Sequence, residues 1–246
     1  MCADLSMKFA FDIKDMDIIA PGIDDINSFY EDIEHFDETQ VVAKSKLIAM
    51  MTARRLTIGT RLACEVAIRL LNLHSDVNSV VFASRHGELV RNYSILSAIA
   101  SNNDVSPTEF ATSVHNSAVG HFTILTQKQI VSSSVSAGYD SFVQGLIETL
   151  STIQKGQKAI FVDFDGAVPE FYNDEIGNVS SFSYAAGFII EPGESITISS
   201  TDMINPTVTD NTKALPQSFE FLKNIKNHNP FMLEGNSYMW QVQCNV

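Results

Sequence analysis

Closely spaced serines precede a glycine in the segment SSSVSAGYDSF, residues 132–142. The pattern predicts a strand, a sharp turn at the glycine and the start of a helix, where enzymes often expose a nucleophile to helix N–H groups. Ser134 or Ser136 is therefore a candidate nucleophile, and a serine needs a base within hydrogen-bond reach. His115 and His121 on the preceding helix are candidate bases, but no ordered Ser–His–acid set is visible. The alternative interpretation is a crowded strand end without chemistry.

A second candidate site is the segment KAIFVDFDGAVPEF, residues 158–171, an apolar strand that ends in D-x-D-G. It resembles the first motif of haloacid-dehalogenase-type phosphatases, which implies Asp163 as nucleophile and Asp165 as general acid and base. That chemistry also needs a later lysine and a distal acidic pair that holds Mg²⁺. No G-D-x-x-x-D pattern follows, and the motif comes late in the chain. Solvated carboxylates at a strand end are the alternative interpretation.

Metal-binding and cofactor patterns are missing from the sequence. His115 and His121 are six residues apart, so they lie on different faces of the predicted helix and do not share a metal from it. Cys2, Cys64 and Cys244 are scattered, and no C-x-x-C pair exists. We therefore expect neither a metal site nor a cofactor.

Apolar spacing predicts the elements that position these residues. Strands are expected at 9–20, 79–84, 129–137, 158–164, 183–193 and 194–200 and in the final segment YMWQVQCNV, and helices at 57–73, 88–101, 113–125, 139–153 and 215–227. The alternation of strands and helices predicts an α/β fold with a mostly parallel five-stranded sheet and helices on both faces. We expect one domain over residues 1–246.

The charge balance excludes some classes of partner. The chain has 246 residues, with 16 Lys and Arg against 29 Asp and Glu, a formal net charge of −13. A surface of this sign does not favour binding to nucleic acid or to an anionic membrane. No uncharged apolar run reaches the roughly 18 residues of a membrane span, and the start MCADLSMKFAFDIKD lacks the features of a signal peptide. We expect a cytoplasmic protein with no membrane span.

Three segments in order resemble a known family. SPTEFATSVHNSAVGHFTILTQ (106–127), followed by SSSVSAGYDSFVQGLIE (132–148), resembles the N-terminal half of a β-ketoacyl-acyl-carrier-protein synthase, and SYAAGFIIEPG (183–193) resembles the closing hairpin strand of that half. The family's N-x-x-A-G-x-x-(S/T)-I helix is matched, with its alanine one place early, by Asn116, Gly120, Thr123 and Ile124. The resemblance implies the N-terminal half of a thiolase-like fold.

The departures from that family concern catalysis. Active synthases carry A-C-x-(S/T)-G at the turn, with the nucleophilic cysteine three residues before the glycine. Val135 stands at that place before Gly138. A valine has no lone pair for attack on a thioester, so acyl transfer through this position is excluded. The synthases also use two histidines from a C-terminal half, whereas the only later histidine here is His228. We expect the chain to be no enzyme on its own.

The resemblance therefore implies a chain-length-factor-like subunit of a type II polyketide synthase, similar to short proteins of aryl-polyene pigment systems. An active β-ketoacyl-acyl-carrier-protein synthase would be its heterodimer partner, and the acyl carrier protein would dock on that partner. The resemblance implies an acyl tunnel and subunit interface at Phe110, Val114, His115, Asn116, Ser117, His121, Ser134 and Val135. Residues 200–246 or the partner would cover the apolar helix layer that half a thiolase fold exposes. A homodimeric scaffold without acyl contact is the open alternative.

Overall fold

A computed structural model describes residues 7–172, 181–202, 214–236 and 238–245. Its strands are β1 (Lys8–Ile19), β2 (Ser79–Ala83), β3 (Val131–Val135), β4 (Ala159–Asp165), β5 (Tyr184–Pro192), β6 (Ile196–Asp202), β7 (Phe231–Glu234) and β8 (Tyr238–Cys244). Its α-helices are α1 (Ile26–Asp32), α2 (Met50–Ala53), α3 (Ile58–Leu73), α4 (Leu89–Ala100), α5 (Pro107–Ala111), α6 (Ser117–Thr126), α7 (Ser141–Ser151) and α8 (Gln217–Ile225). Short 3₁₀ helices lie at Ile33–His35, Gly138–Asp140 and Glu170–Tyr172.

The described strands form one eight-stranded sheet in the order β3-β2-β4-β5-β1-β6-β8-β7. Strand β2 is parallel to β3 and to β4, and the other described pairs are antiparallel. The α/β class is confirmed, but the prediction of a mostly parallel five-stranded sheet was wrong in strand number and in direction. Parallel neighbours need a crossover of a dozen or more residues, usually through a helix. Strands β7 and β8, for example, are neighbours separated in the chain by residues 235–237 alone, too few for such a crossover.

Helices α3 and α6 cover one face of the sheet. Val66 and Leu70 of α3 belong to one buried cluster with Phe122 of α6 and Ile160 of β4. The backbone of β5 lies close beneath α3 at Gly187, where a Cβ atom would come within 2.4 Å of Val66 Cγ1. The apolar residues that recur at every fourth position predicted helix α3. They mark the face of the helix that packs against the sheet.

Helices α7 and α8 cover the opposite face with aromatic side chains. The rings of Phe142 on α7 and Phe221 on α8 lie 5.2 Å apart between centroids. Both rings also contact Phe188 of β5, at 5.8 Å and 5.9 Å. The segment from residue 200 onward thus contributes α8 to this face, and its strands β7 and β8 extend the sheet beyond β6.

Helix α6 begins later than the sequence predicted. The expected helix covered 113–125, whereas α6 starts at Ser117 with Asn116 at its N-cap position. His115 therefore lies in the connection between α5 and α6, not on a helix, and the six-residue spacing to His121 is not a helical spacing. This difference decides where the imidazole of His115 points.

Candidate functional site

His115 and Ser134 form a direct pair at the end of β3. The Nδ1 atom of His115 lies 2.8 Å from Ser134 Oγ, and its Nε2 atom lies 3.0 Å from the carbonyl oxygen of Ser84. A carbonyl oxygen only accepts, so Nε2 carries the ring proton and Nδ1 accepts the hydroxyl proton of Ser134. His115 is thus a base within hydrogen-bond reach of Ser134, although the two residues are 19 positions apart in the sequence.

The pair lacks the other parts of a hydrolytic site. The second imidazole nitrogen of His115 meets a carbonyl and not a carboxylate, so no acid orients the ring as in a triad. Neither side chain lines the three cavities that are described around the chain. The ring instead packs on the turn after β2, where a Cβ atom on Gly87 (φ +54°) would come within 3.0 Å of it. The contact fixes the connection before α6 to the ends of β2 and β3.

The turn after β3 has the geometry that the sequence predicted. Val135 ends the strand, and its carbonyl accepts a 3.1 Å bond from the backbone N–H of Ser84. Gly138 has φ +60°, a conformation that glycine adopts at low cost, and it opens the 3₁₀ turn that leads into α7. Ser141 Oγ closes the turn with bonds to the N–H of Ala137 and to the carbonyl of Gly138. A strand–turn–helix element is therefore present, with a half-buried valine at its strand end.

The remaining predicted site residues lie around α5 and α6. Phe110 on α5 is 66 % exposed and Val114 after it is 50 % exposed, whereas Ser117 at the start of α6 is buried. The imidazole of His121 lies near the charged groups of Glu88 and Arg91, and burial lowers its pKa. Asn116 is exposed at the helix start. The hydrogen bonds of His115 are with Ser134 and Ser84, and none joins it to His121.

The outer edge of β3 has no partner among the described strands. Strand β3 stands at the end of the sheet and pairs only with β2. Apolar side chains are exposed nearby, with Val131 at 64 % and Ile124 of α6 at 70 %. An open strand edge beside apolar surface is a typical place for a partner strand to add.

Asp163 and Asp165 at the end of β4 are buried, and the expectation of solvated carboxylates was wrong. Asp163 accepts bonds from Ser218 Oγ at 2.6 Å and from the Tyr184 hydroxyl at 3.0 Å. Asp165 accepts bonds from Ser84 Oγ at 2.6 Å and from the backbone N–H of His86 at 2.8 Å. Burial raises the pKa of Asp163 to about 7 and also raises the pKa of Asp165. The two carboxyl groups thus tie β4 to β2, β5 and α8.

Two comparisons identify the family. The family model of the beta-ketoacyl synthase, N-terminal domain, matches residues 31–243. A chain from the structure of the ketosynthase ApeO in complex with its chain length factor ApeC from Xenorhabdus doucetiae is 37 % identical, with a TM-score of 0.87, over 96 % of this chain and 99 % of that chain. The chain belongs to the β-ketoacyl synthase N-terminal domain family.

Other β-ketoacyl synthase structures share the fold at low identity. The ishigamide ketosynthase/chain length factor is 14 % identical with a TM-score of 0.62, over 80 % of this chain and 68 % of that chain. A β-ketoacyl synthase from Burkholderia phymatum STM815 is 11 % identical with a TM-score of 0.55, over 78 % of this chain and 63 % of that chain. A search among curated proteins gives no match.

This β-ketoacyl synthase N-terminal domain contains functional groups that sequence analysis did not find. Ser218 and Tyr184 bind Asp163 from elements 55 and 21 residues away, and no local spacing predicts such contacts. Within the described ranges no three His, Cys, Asp or Glu side chains are placed to bind a metal ion. No helix in the described part of the chain has the length and apolar character needed to span a bilayer.

Proposed function

We propose that the chain is a non-catalytic, chain-length-factor-like partner of an active β-ketoacyl-acyl-carrier-protein synthase in type II polyketide biosynthesis of the aryl-polyene kind. The observation that carries this proposal is Val135, which ends β3 immediately before the turn where the family has its nucleophilic cysteine. An aliphatic side chain forms no thioester, so the partner supplies the cysteine and histidines. The similar chain of nearly equal length from Xenorhabdus doucetiae, taken from a ketosynthase–chain length factor complex, supports this role.

The open edge of β3 is the place where the synthase binds. Val131 and Ile124 expose apolar surface there, and a strand of the synthase that pairs with β3 would bury both side chains and satisfy the free backbone groups. Burial of apolar area contributes roughly 25 cal/mol per Å². The chain stabilises the synthase through this interface, and association stabilises the folded state of both proteins.

The residues around α5 and α6 shape the acyl tunnel of the complex. Phe110 and Val114 expose large apolar side chains, and Ser117 lies beside them at the start of α6. In this role their sizes limit how far a growing acyl chain extends. The acyl carrier protein docks on the synthase, because the charge of −13 on this chain disfavours an acidic partner.

Co-expression with a ketosynthase from the same organism tests the proposal. We expect the two chains to co-purify and to elute from size-exclusion chromatography as a heterodimer, with the ketosynthase less abundant when it is produced alone. Elution of the two proteins as separate species at micromolar concentration would contradict the partner role.

A self-standing hydrolase or acyltransferase through Ser134 is the second candidate, and the 2.8 Å contact with His115 favours it. Turnover of a short-chain ester by the isolated chain, lost in Ser134→Ala, would establish that activity. A phosphatase through Asp163 is disfavoured, because its carboxyl group is buried and its Oδ2 atom accepts hydrogen bonds from both Ser218 and Tyr184.

A further inference from the structure

The turn after β2, residues 84–87, is built around the carboxyl group of Asp165. Ser84 Oγ and the backbone N–H of His86 donate to Asp165 Oδ1 at 2.6 Å and 2.8 Å. The backbone N–H of Arg85 donates to Oδ2 at 3.1 Å, and Ser84 Oγ accepts a 2.7 Å bond from the N–H of Gly87. Asp165 is buried at the end of β4. A buried strand end therefore fixes the path of this turn.

His115 contacts the turn from the α5–α6 connection, residues 112–116. Its Nε2 atom donates to the carbonyl oxygen of Ser84 at 3.0 Å. Its ring atom Cδ2 would lie 3.0 Å from a Cβ atom on Gly87, so the imidazole packs directly against the backbone of the turn. Because protein interiors are close-packed, a displacement of the turn displaces the imidazole as well.

A second bond to the connection also depends on the turn. Asn92 Nδ2 donates to the carbonyl oxygen of Ser113 at 3.3 Å, and Asn92 belongs to α4, which begins two residues after Gly87. The remaining contacts are the bonds between Ser134 and His115. In the described part of the chain, no other side-chain hydrogen bond joins residues 112–116 to a distant element. Two of the three partners of the connection are thus placed by the turn.

The connection carries one of the side chains assigned above to the acyl tunnel. Val114, next to His115, is 50 % exposed. Valine has no polar group, so the hydrogen bonds of its neighbours Ser113 and His115 determine where its side chain stands. The position of Val114 therefore depends on bonds that begin at Asp165.

We propose that Asp165 is a positioning residue: through the turn after β2 and His115 it holds the α5–α6 connection, and it thereby sets how far an acyl chain extends past Val114. The effect on the acyl chain rests on the proposed function, whereas the hold on the connection does not. Asparagine at position 165 preserves the size of the side chain but replaces one acceptor oxygen with an amino group, which only donates. One set of donors in the turn then loses its acceptor, and the turn relaxes.

Hydrogen exchange of the isolated chain tests the hold on the connection. The N–H groups of Ser113 and Ser117 are bonded to the carbonyls of Phe110 and Val114. We expect Asp165→Asn to accelerate exchange at both amides by about tenfold or more, because local opening of the connection becomes easier. Unchanged exchange at both amides in folded Asp165→Asn would overturn the proposal.

Glu65→Gln is the matched control for this experiment. Glu65 is a buried carboxylate on α3, and its Oε1 atom accepts bonds from the backbone N–H groups of Lys46 and Leu47. The substitution is thus the same change of acid to amide, made beneath a different loop. It should accelerate exchange at Lys46 and Leu47 and leave Ser113 and Ser117 as in wild type. Equal acceleration at Ser113 and Ser117 in both variants would contradict a specific role of Asp165.

The products of the heterodimer test the effect on the acyl chain. Wild type, Asp165→Asn and Glu65→Gln are each co-purified with the synthase, and mass spectrometry gives the product chain lengths. A loosened connection allows several positions of Val114, so the share of the main product should fall at least about twofold with Asp165→Asn and stay unchanged with Glu65→Gln. An unchanged distribution with Asp165→Asn in the complex would contradict the tunnel role. Failure of the wild-type chain to bind the synthase would instead count against the proposed function, and hydrogen exchange would still decide whether Asp165 holds the connection.

Two further variants keep the test decisive. If Asp165→Asn does not fold, Ser84→Ala removes the hydroxyl that joins Asp165 to Gly87, and it should accelerate exchange at the same two amides of the connection. His115→Ala breaks the same path at its other end. Combined with Asp165→Asn, it should alter the product distribution no further than the stronger single variant does, because both act through one contact. Additive effects would show that Asp165 acts by another route and would contradict the proposal.

Discussion

The carboxylate of Asp163 accepts a 2.6 Å hydrogen bond from the hydroxyl of Ser218. The bond joins the end of β4 to α8 in the interior, between residues 55 positions apart. Tyr184 of β5 donates to the same oxygen atom, Oδ2, at 3.0 Å. One carboxyl group thus links a central strand, its neighbour and the helix contributed by the end of the chain.

The titration of Asp163 predicts a pH dependence of stability. Burial raises the folded pKa of Asp163 to about 7, whereas an unfolded aspartate has a pKa of about 3.9. The folded chain holds the proton to higher pH than the unfolded chain, so this contribution is complete below about pH 4 and is lost as the pH rises through 7. From pH 4 to 8, we expect the stability of Asp163→Asn to rise relative to wild type by about 4 kcal/mol. Urea unfolding at each pH measures the difference.

Asp104→Asn, a substitution on the exposed loop after α4, serves as the control for that experiment. The difference in the free energy of unfolding between Asp104→Asn and wild type should stay constant from pH 4 to 8. Parallel stability profiles for Asp163→Asn and wild type would show that Asp163 ionises in the folded chain as it does in the unfolded chain.

Gly145 on α7 predicts a steric limit at the helix–sheet contact. A Cβ atom there would lie 2.4 Å from Cε2 of Phe161 and 2.8 Å from Cβ of Ala83. We expect Gly145→Ala to lower the free energy of unfolding by about 1–3 kcal/mol, since α7 must move away from the sheet. Gly120 on α6 has no heavy atom within 4 Å of the same position, so Gly120→Ala should raise it by about 0.5–1 kcal/mol. Equal effects in urea unfolding would refute the packing described for α7.

The bond between Ser134 and His115 predicts a structural loss. We expect Ser134→Ala to lower the free energy of unfolding by about 0.5–1.5 kcal/mol, because His115 loses a hydrogen-bond donor. Ser136→Ala two residues later is the control, since that side chain is exposed and should change stability little. Chemical denaturation of both variants provides the measurement. If Ser134→Ala leaves the free energy of unfolding unchanged but abolishes ester turnover, the result would instead support the hydrolase.

The exposed edge of β3 predicts the location of the partner interface. Lysine at an exposed edge opposes strand addition, so Val131→Lys and Ile124→Lys should each weaken binding of the synthase at least tenfold while the isolated chain stays folded. Leu73→Lys at the end of α3 is the control, because Leu73 is 71 % exposed and lies near β1 and not β3. Size-exclusion chromatography of co-expressed proteins over a dilution series distinguishes the variants. Equal losses of synthase binding in all three variants would show that the interface lies away from the β3 edge.

The sequence predicted the elements of this fold better than their arrangement. Helix α3 and strand β4 were placed within one residue, because apolar spacing and continuous apolar runs record which face is buried. The turn at Gly138 followed from local residue types. Strand direction was missed because spacing identifies a strand but not its neighbour, and β5 lies antiparallel beside β4.

The candidate site was only partly predictable for the same reason. Ser134 and His115 were both singled out, but their contact depends on a helix start at Ser117 that apolar spacing did not fix. The pairing of Asp163 with Ser218 and that of Asp163 with Tyr184 arise from packing of α8 and β5 against β4. These contacts connect distant parts of the chain, so no local pattern contains them.

Intact mass analysis of the purified heterodimer after incubation with an acyl-loaded carrier protein tests the central claim most directly. The chain carries no thiol at position 135, so we expect its mass to remain unchanged while the synthase gains one acyl group. A covalent acyl adduct on this chain in the heterodimer, lost again when an acceptor is added, would contradict a non-catalytic role.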